Sequence, residues 1–471
     1  MLKKILSMML IITMVFSISA CTKKTSGGKA DKVVNLVWIT GGDQPKEYAE
    51  TIKVLNEKSA KDIGVTVDIK YYDNEKALLA MSTGEYFDIA FTCEWYNNYA
   101  MGAQKGYFAD ITEKVKESAP DLNKYIPDVV WNGSMIDNQL YAIPVYKDSA
   151  ATEYWCFDEE FIINQCGADV ENLSNNIEEL TPILKVAKEK KPNEYPLMVN
   201  KDGFRVGTNY EFIIRDLFIG LPYDGDSTEV VSVFEAEDYL AELDIVHKWY
   251  DAGYINPDAP LIKEEHKYSA VWSGQGFIGA DAIWSSIKDH KIKTVKRYGP
   301  IYSTASIRGS MNGISANSKH IDAALKYLQY ANLNVEYRNM LAYGIEDKHY
   351  KKTEEGTIEK LNDGFNPWTF SQATFFTMYP TSPAPANQWE LVKKDIQSAK
   401  GSPIIGFTPD FSVMETEIAA SKSVIDKYKA TILTGAGDPR VEIPKMLDEL
   451  KGTGYYDIIE KIQEQVNAFK K

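Results

Sequence analysis

Five residues constrain this chain more than any others: Phe87 to Phe91, an apolar run broken only by Asp88. A run that short and that apolar reads as a strand covered on both faces, the kind found inside a parallel sheet. Thr92, Cys93, Glu94, Trp95 and Tyr96 follow it at once. In an open α/β sheet, ligands bind outside the carboxyl ends of the strands, which is where Glu94, Trp95 and Tyr96 would stand. A carboxylate beside flat aromatic faces suits a polyhydroxylated ligand. The carboxylate accepts hydrogen bonds from hydroxyls and the rings cover apolar C–H faces. Taken alone, the same residues also fit an ordinary half-buried aromatic loop.

The segments before that run fix the fold class. Val33 to Ile39 reads as a strand, and Pro45 opens a helix with Tyr48, Ile52 and Leu55 on one face. Val65 to Tyr71 alternates apolar and polar residues as a second strand, and Asn74 to Thr83 is helical. The order β-α-β-α-β demands crossovers, and hence an open sheet with helices on both faces. Gly41-Gly42, at the end of the first strand, permits close backbone approach at the carboxyl edge. Its spacing matches neither a Walker A loop nor GxGxxG, so it is expected to offer backbone contacts to a ligand and not a phosphate cradle.

At 471 residues the chain is too long for one core, and two domains are expected. Its formal charge of −15 excludes a nucleic-acid binder, which would need a basic stripe. Lys3-Lys4, then an apolar stretch from Ile5 to Ile18, then Ile18-Ser19-Ala20-Cys21 form a bacterial lipoprotein leader with its lipobox. Residues 1–20 are therefore expected to be removed, and Cys21 to carry the lipid (palmitate and a diacylglyceryl group). Residues 21–32 would serve as a polar, flexible tether on the outer face of the cell membrane. Cys93, Cys156 and Cys166 remain, an odd set. Free thiols are the preferred reading, with a Cys156–Cys166 pair as the alternative.

Asp88-Ile89-Ala90-Phe91, with the Tyr99 to Phe108 segment behind it, resembles the equivalent stretch of the family 1 extracellular solute-binding proteins, the maltose-binding-protein-like group. Asn138 to Tyr146 is similar to that family's G-x-x-Y-A-x-P crossing, with Asn138 in place of Gly. Trp249 to Ile255 matches its W-Y-x-A-G-Y-I, with His247 beside it expected to be a partly buried helix residue. Ser310 to Ser315 resembles the strand that returns the chain to its first lobe. A helix N-capped by Ser318 is expected to follow. Leu341 to Tyr350, Leu361 to Trp368 and Ser402 to Phe407 resemble the lipoprotein-type subgroup.

That resemblance implies a bilobal, periplasmic-binding-protein-like α/β fold, with two open lobes joined by a multi-strand hinge. The first lobe would comprise 33–145 and 310–350, and the second 146–309. A C-terminal helical region, 351–471, would pack on both lobes. The implied function is a monomeric receptor that binds a sugar or oligosaccharide between the lobes and hands it to the permease of an ABC importer. Tyr146 and Asp148 would lie at the hinge, Asp281 and Trp284 would enter from the second lobe, and Trp368 would add a stacking platform. With Gly41, Gly42, Glu94 and Trp95 they complete the expected site.

No G-x-S-x-G, H-E-x-x-H or other catalytic or metal spacing occurs, so neither enzyme activity nor a cofactor is expected. Asp224, Asp226, Thr228, Ser232 and Glu235 fall on calcium-loop spacing, but Glu229 stands where the turn wants Gly. A solvated acidic loop is the preferred reading there. Two alternatives stay open: a surface glycoside hydrolase with carboxylates paired across the cleft, and the same fold carrying a peptide or other solute.

Overall fold

The computed structural model describes residues 33–223 and 226–470. The leader, Cys21 and the tether lie outside the described residues, as does Asp224. The first lobe begins as the hydrophobic periodicity dictates. Val34–Thr40 (β1), Tyr48–Ile63 (α1), Val65–Tyr71 (β2), Asn74–Thr83 (α2) and Ile89–Thr92 (β3) alternate along the chain. β1 pairs in parallel with β2, Leu36 opposite Val67 and Trp38 opposite Ile69, and with β3 on its other side. Helix α1 starts at Tyr48, later than Pro45, because Pro45 to Glu47 form a turn closed by the Tyr48 N–H on the Pro45 carbonyl. It ends where Gly64 takes the left-handed conformation (φ 70°) that a side chain resists.

Asp88 is the one polar residue in the organising run, and it is fully buried. Its carboxylate accepts hydrogen bonds from the Val37 N–H (2.9 Å), the Tyr86 hydroxyl (2.8 Å) and the Ser318 hydroxyl (2.6 Å). A buried carboxylate is tolerable only when satisfied in this way. Ser318 Oγ also accepts from the His320 N–H at 3.0 Å but is not the expected N-cap, since the following helix begins at Ile321, after His320.

Ala142–Pro144 (β4) closes one edge of the first sheet, after which the chain crosses to the second lobe. That lobe contains Ala151–Asp158 (β5) and a small antiparallel sheet of Tyr210–Ile214 (β6), Ile219–Pro222 (β7) and Val231–Ser232 (β8). Helix Glu237–Asp251 (α3), Val271–Gly276 (β9), helix Ala280–Lys288 (α4) and Ile292–Tyr302 (β10) follow. Helix α3 is preceded by a separate tight turn at residues 233–235. Trp249 is buried in it, and His247 is half-buried as expected, with its Nδ1 2.7 Å from the Gly435 carbonyl.

Met311–Ile314 (β11) returns to the first sheet, antiparallel between β3 and β4, to give the order β2-β1-β3-β11-β4. Helices Ile321–Leu333 (α5) and Val335–Tyr343 (α6) cover it. Tyr146 and Ala150 on the way out, and Tyr302 and Ile307 on the way back, belong to this lobe's core. The first lobe's core thus extends past the expected crossing at 146 and resumes before 310.

Residues 351–387 contain no α-helix, only one short 3-10 turn at Thr369–Ser371. They form a hairpin, Tyr350–Lys352 (β12) with Ile358–Lys360 (β13), and loops punctuated by Pro367, Pro380, Pro383 and Pro385. Helix Gln388–Gln397 (α7) and Lys400–Gly401 (β14) follow, and β14 joins β10 in the second sheet, β14-β10-β5-β9. A third segment therefore runs alongside the crossings near 145–151 and 301–310. The Ser402 N–H bonds to the Tyr302 carbonyl at 2.7 Å and the Val145 N–H to the Ser310 carbonyl at 2.9 Å. Helices Glu415–Leu433 (α8), Pro439–Leu450 (α9) and Tyr455–Phe469 (α10) close the chain, packed in one apolar cluster with β6, β7 and α3. The break at Gly452-Thr453-Gly454 falls where the glycines place it.

Candidate functional site

The turn after β3 sets the first lobe's contribution. Asn97 adopts a positive φ of 48°, and Asn98 caps the next helix by accepting from the Met101 N–H at 2.9 Å. This turn buries Tyr96, whose hydroxyl reaches the Tyr72 carbonyl, and drives Glu94 and Trp95 outward. Trp95 is 56% exposed, and its ring rests edge-on against Trp368, 5.8 Å between centroids.

Trp368 in turn stacks on Phe370 at 5.3 Å and lies against Gly41 and Gly42. Its indole therefore covers the backbone that was expected to meet the ligand. Tyr146 is buried against Phe376 and Tyr125, inside the first lobe. Asp148 is mostly buried and forms an ion pair with Lys147.

In the second lobe, β9 and α4 bring Trp272 and Trp284 together edge-to-face, 5.0 Å apart. Gly276 leaves room for the Trp284 ring, since a Cβ there would come within 2.9 Å of its Cζ2. Asp281 is half-buried in the first turn of α4.

Between the lobes lies a cavity of about 1040 Å³. Of the nine expected ligand-binding residues, the structure brings Glu94, Trp95 and Trp284 together around it. Gly41, Gly42, Tyr146, Asp148, Asp281 and Trp368 do not line it. Sequence reading missed several residues that do, among them Glu153, Arg205, Arg215, Trp272 and Tyr298. The available signal was a charge set into an apolar strand. Glu153 precedes Tyr154 to Phe157, and Arg297 interrupts β10.

Glu153 sits mid-sheet, in register between Gln275 of β9 and Tyr298 of β10, and all three line the cavity. It pairs with Arg205 at 2.7 Å. Burial pushes its carboxyl above the ordinary range, while Arg205, Arg297 and Arg215 pull the other way. Arg297 lies beneath, its Cζ 4.1 Å from the Trp155 ring centre, donating to the Arg205 carbonyl (2.8 Å) and to Asn175 (2.8 Å). Burial lowers its guanidinium to about 10.

Among the described residues no group of three or more His, Cys, Asp or Glu is placed to hold a metal ion. Ser232 and Glu235 of the acidic loop are instead engaged by the hydroxyls of Tyr455 (3.0 Å) and Tyr456 (3.2 Å). Cys93, Cys156 and Cys166 are free.

Comparison with known proteins gives a consistent neighbourhood. A family model described as a domain of unknown function, DUF3502, matches residues 403–471. A carbohydrate ABC transporter substrate-binding protein of Streptococcus pneumoniae serotype 4 is 28% identical over 495 residues, 98% of this chain and 97% of that protein. A crystal structure of the N-glycan transport solute binding protein NgtS from S. pneumoniae superposes with a TM-score of 0.86 at 26% identity, covering 93% of this chain and 99% of that one. NgtS in complex with Man5GlcNAc superposes with a TM-score of 0.75, also at 26% identity, covering 93% of this chain and 98% of that one. These relatives are transport proteins and not enzymes. In its bilobal fold, its interlobe cavity and a likeness spanning nearly the whole length, this chain is similar to solute-binding proteins of ABC transporters.

Proposed function

We propose that the chain captures a carbohydrate of several sugar units in its interlobe cavity and presents it to an ABC importer, anchored outside the cell by lipid on Cys21. The observation that carries this reading is the placement of aromatic faces on opposing lobes, Trp95 on one and Trp272 with Trp284 on the other, around a polar-lined cavity. Such faces cover the C–H surfaces of sugar rings while side chains between them meet the hydroxyls. A cavity of about 1040 Å³ exceeds the usual range for drug-sized ligands, which favours an oligosaccharide over a single sugar.

The cavity is shared unequally. Most of its wall comes from the second lobe and the hinge, with Glu94, Trp95 and Phe370 at the first lobe's lip. A ligand seated on the second lobe gains the Trp95 contact only on closure, and that differential contact shifts the population to the closed form. Closer superposition on one NgtS structure than on its Man5GlcNAc complex is consistent with such a hinge. The full-length likeness to a carbohydrate ABC transporter substrate-binding protein supports this reading.

A thermal-shift screen of the purified protein against mono- and oligosaccharides tests the reading. A ligand at 100 times its Kd should add about 2.7 kcal/mol of stability, and the ligand should be recovered intact. Stabilisation by peptides alone would overturn it, as would glycan breakdown.

A further inference from the structure

The second-lobe corner of the cavity carries a charge that the protein does not neutralise. Arg205, Arg215 and Arg297 all act on Glu153. Arg205 is paired with Glu153 at 2.7 Å, and Arg297 is fully buried, 3.9 Å from Glu242, whose other oxygen accepts from the Gly207 N–H at 2.6 Å. Arg215 is exposed on the cavity wall, and among the described residues no carboxylate pairs with it. Its sequence neighbour Asp216 is turned toward Lys422, 3.5 Å away. The Arg215 guanidinium instead lies over the Phe212 ring, Cζ 5.3 Å from the centroid.

A cation–π contact of that kind holds the guanidinium beside the ring without using its N–H donors. The remaining acids on the wall are Glu94 of the opposite lobe, Glu265, and Asp202, which is paired with Lys201 at 2.8 Å. In a chain of net charge −15, a cation held unpaired in the ligand cleft is a specific feature. The long-range field of the protein would neutralise it only weakly through screened solvent.

We infer that Arg215, backed by the Arg205–Glu153 pair, reads an anionic group on the bound glycan, a sugar carboxylate of uronic- or sialic-acid type, so that the cargo is an acidic oligosaccharide. The inference rests on the glycan reading above. A planar guanidinium matches a carboxylate with two parallel N–H···O bonds, whereas a hydroxyl takes one and leaves the charge uncompensated. Arg205 stays with Glu153 in this scheme, and Arg297 is a positioning residue that holds the Arg205 backbone from beneath.

Titration calorimetry of the purified protein with matched pairs tests it: tetragalacturonate against its methyl ester, and a sialylated biantennary glycan against its desialylated form. The two pairs separate uronate from sialate as the source of the charge. In one pair the charged member should bind at least about tenfold tighter, the gain expected of a hydrogen-bonded ion pair. Arg215→Gln should erase that preference, bringing the charged member's Kd to within about twofold of the neutral member's. Arg215→Lys should keep part of it. Equal or tighter binding of the neutral members would overturn the inference and leave the glycan reading standing. So would an Arg215→Gln variant that weakens both members alike. If no member of either pair binds while peptides do, both readings fall.

Discussion

The Trp368 indole covers Gly42, whose φ is +86° and at which a Cβ would come within 2.9 Å of the indole Nε1. The glycine pair at the end of β1 is thus required by a ring that lies against it and not by a ligand. Trp368 also backs Trp95, the exposed ring at the first lobe's lip. Gly42→Ala should therefore cost about 1–3 kcal/mol, from the left-handed backbone and the crowded ring together. A urea unfolding series read by tryptophan fluorescence would measure it. Wild-type stability in the variant would mean that Trp368 shifts freely and does not brace Trp95.

Asp88 ties three segments through one carboxylate: β1 through Val37, its own strand through Tyr86, and the return segment through Ser318. Asp88→Ala leaves the Val37 N–H unsatisfied in a fully buried site, which should destabilise the protein by about 2–4 kcal/mol. Asp88→Asn, which keeps an acceptor, should cost less. The difference between the two denaturation midpoints checks the account. Equal losses would assign the cost to packing instead of hydrogen bonding.

Glu211 offers a pH test at the hinge. It is buried on β6, accepts from the Thr304 N–H at 3.1 Å and bonds to the Ser402 hydroxyl, so it joins the second lobe to two of the crossing segments. Burial raises its carboxyl above the ordinary 4.5, against those hydrogen bonds. The folded state thus holds the proton more tightly than the unfolded chain. Its stabilising contribution is complete below 4.5 and is lost as pH rises from there through the raised folded value. Glu211→Gln should flatten that part of the stability profile and gain on wild type as pH rises above 4.5. A constant offset between the two proteins across pH would show that Glu211 does not titrate in this window.

How much of this was legible in the sequence follows from where the information lies. The alternation of β1, α1, β2 and α2 is local, and each element falls within about three residues of its expected bounds, because periodicity of 2 and 3.6 is imposed by backbone geometry. Glu94 and Trp95 were legible for the same reason, since the strand that ends before them fixes where they point. The Glu153–Arg205–Arg297 cluster was not, because its members are brought together by strand register and a loop over more than a hundred residues. Charge pairing is spatial and leaves only an indirect trace, a charged residue inside an apolar strand. Trp368 shows the converse. Its residue type suggested a ligand platform, but burial against Gly41 and Gly42 depends on a fold-level contact that residue type does not carry.

Trp95 and Trp284 look alike in sequence, each an aromatic residue just past a strand, yet their surroundings predict different behaviour. Trp95 is 56% exposed and meets its neighbouring rings edge-on or tilted, never stacked. Trp95→Ala should leave the unliganded melting temperature almost unchanged and weaken glycan binding by about three- to tenfold, the value of an aromatic contact beyond its buried area. Trp284 is half-buried, packed against Gly276 and Trp272. Removing it opens a void under the cavity wall, so Trp284→Ala should lower stability by about 2–4 kcal/mol as well as affinity. Parallel melting curves and calorimetric titrations of the two variants separate the effects. If Trp95→Ala destabilises the unliganded protein as much as Trp284→Ala does, the ring braces the Trp368 cluster and is not a ligand contact. If Trp284→Ala binds normally once folded, the second lobe's platform is Trp272 alone.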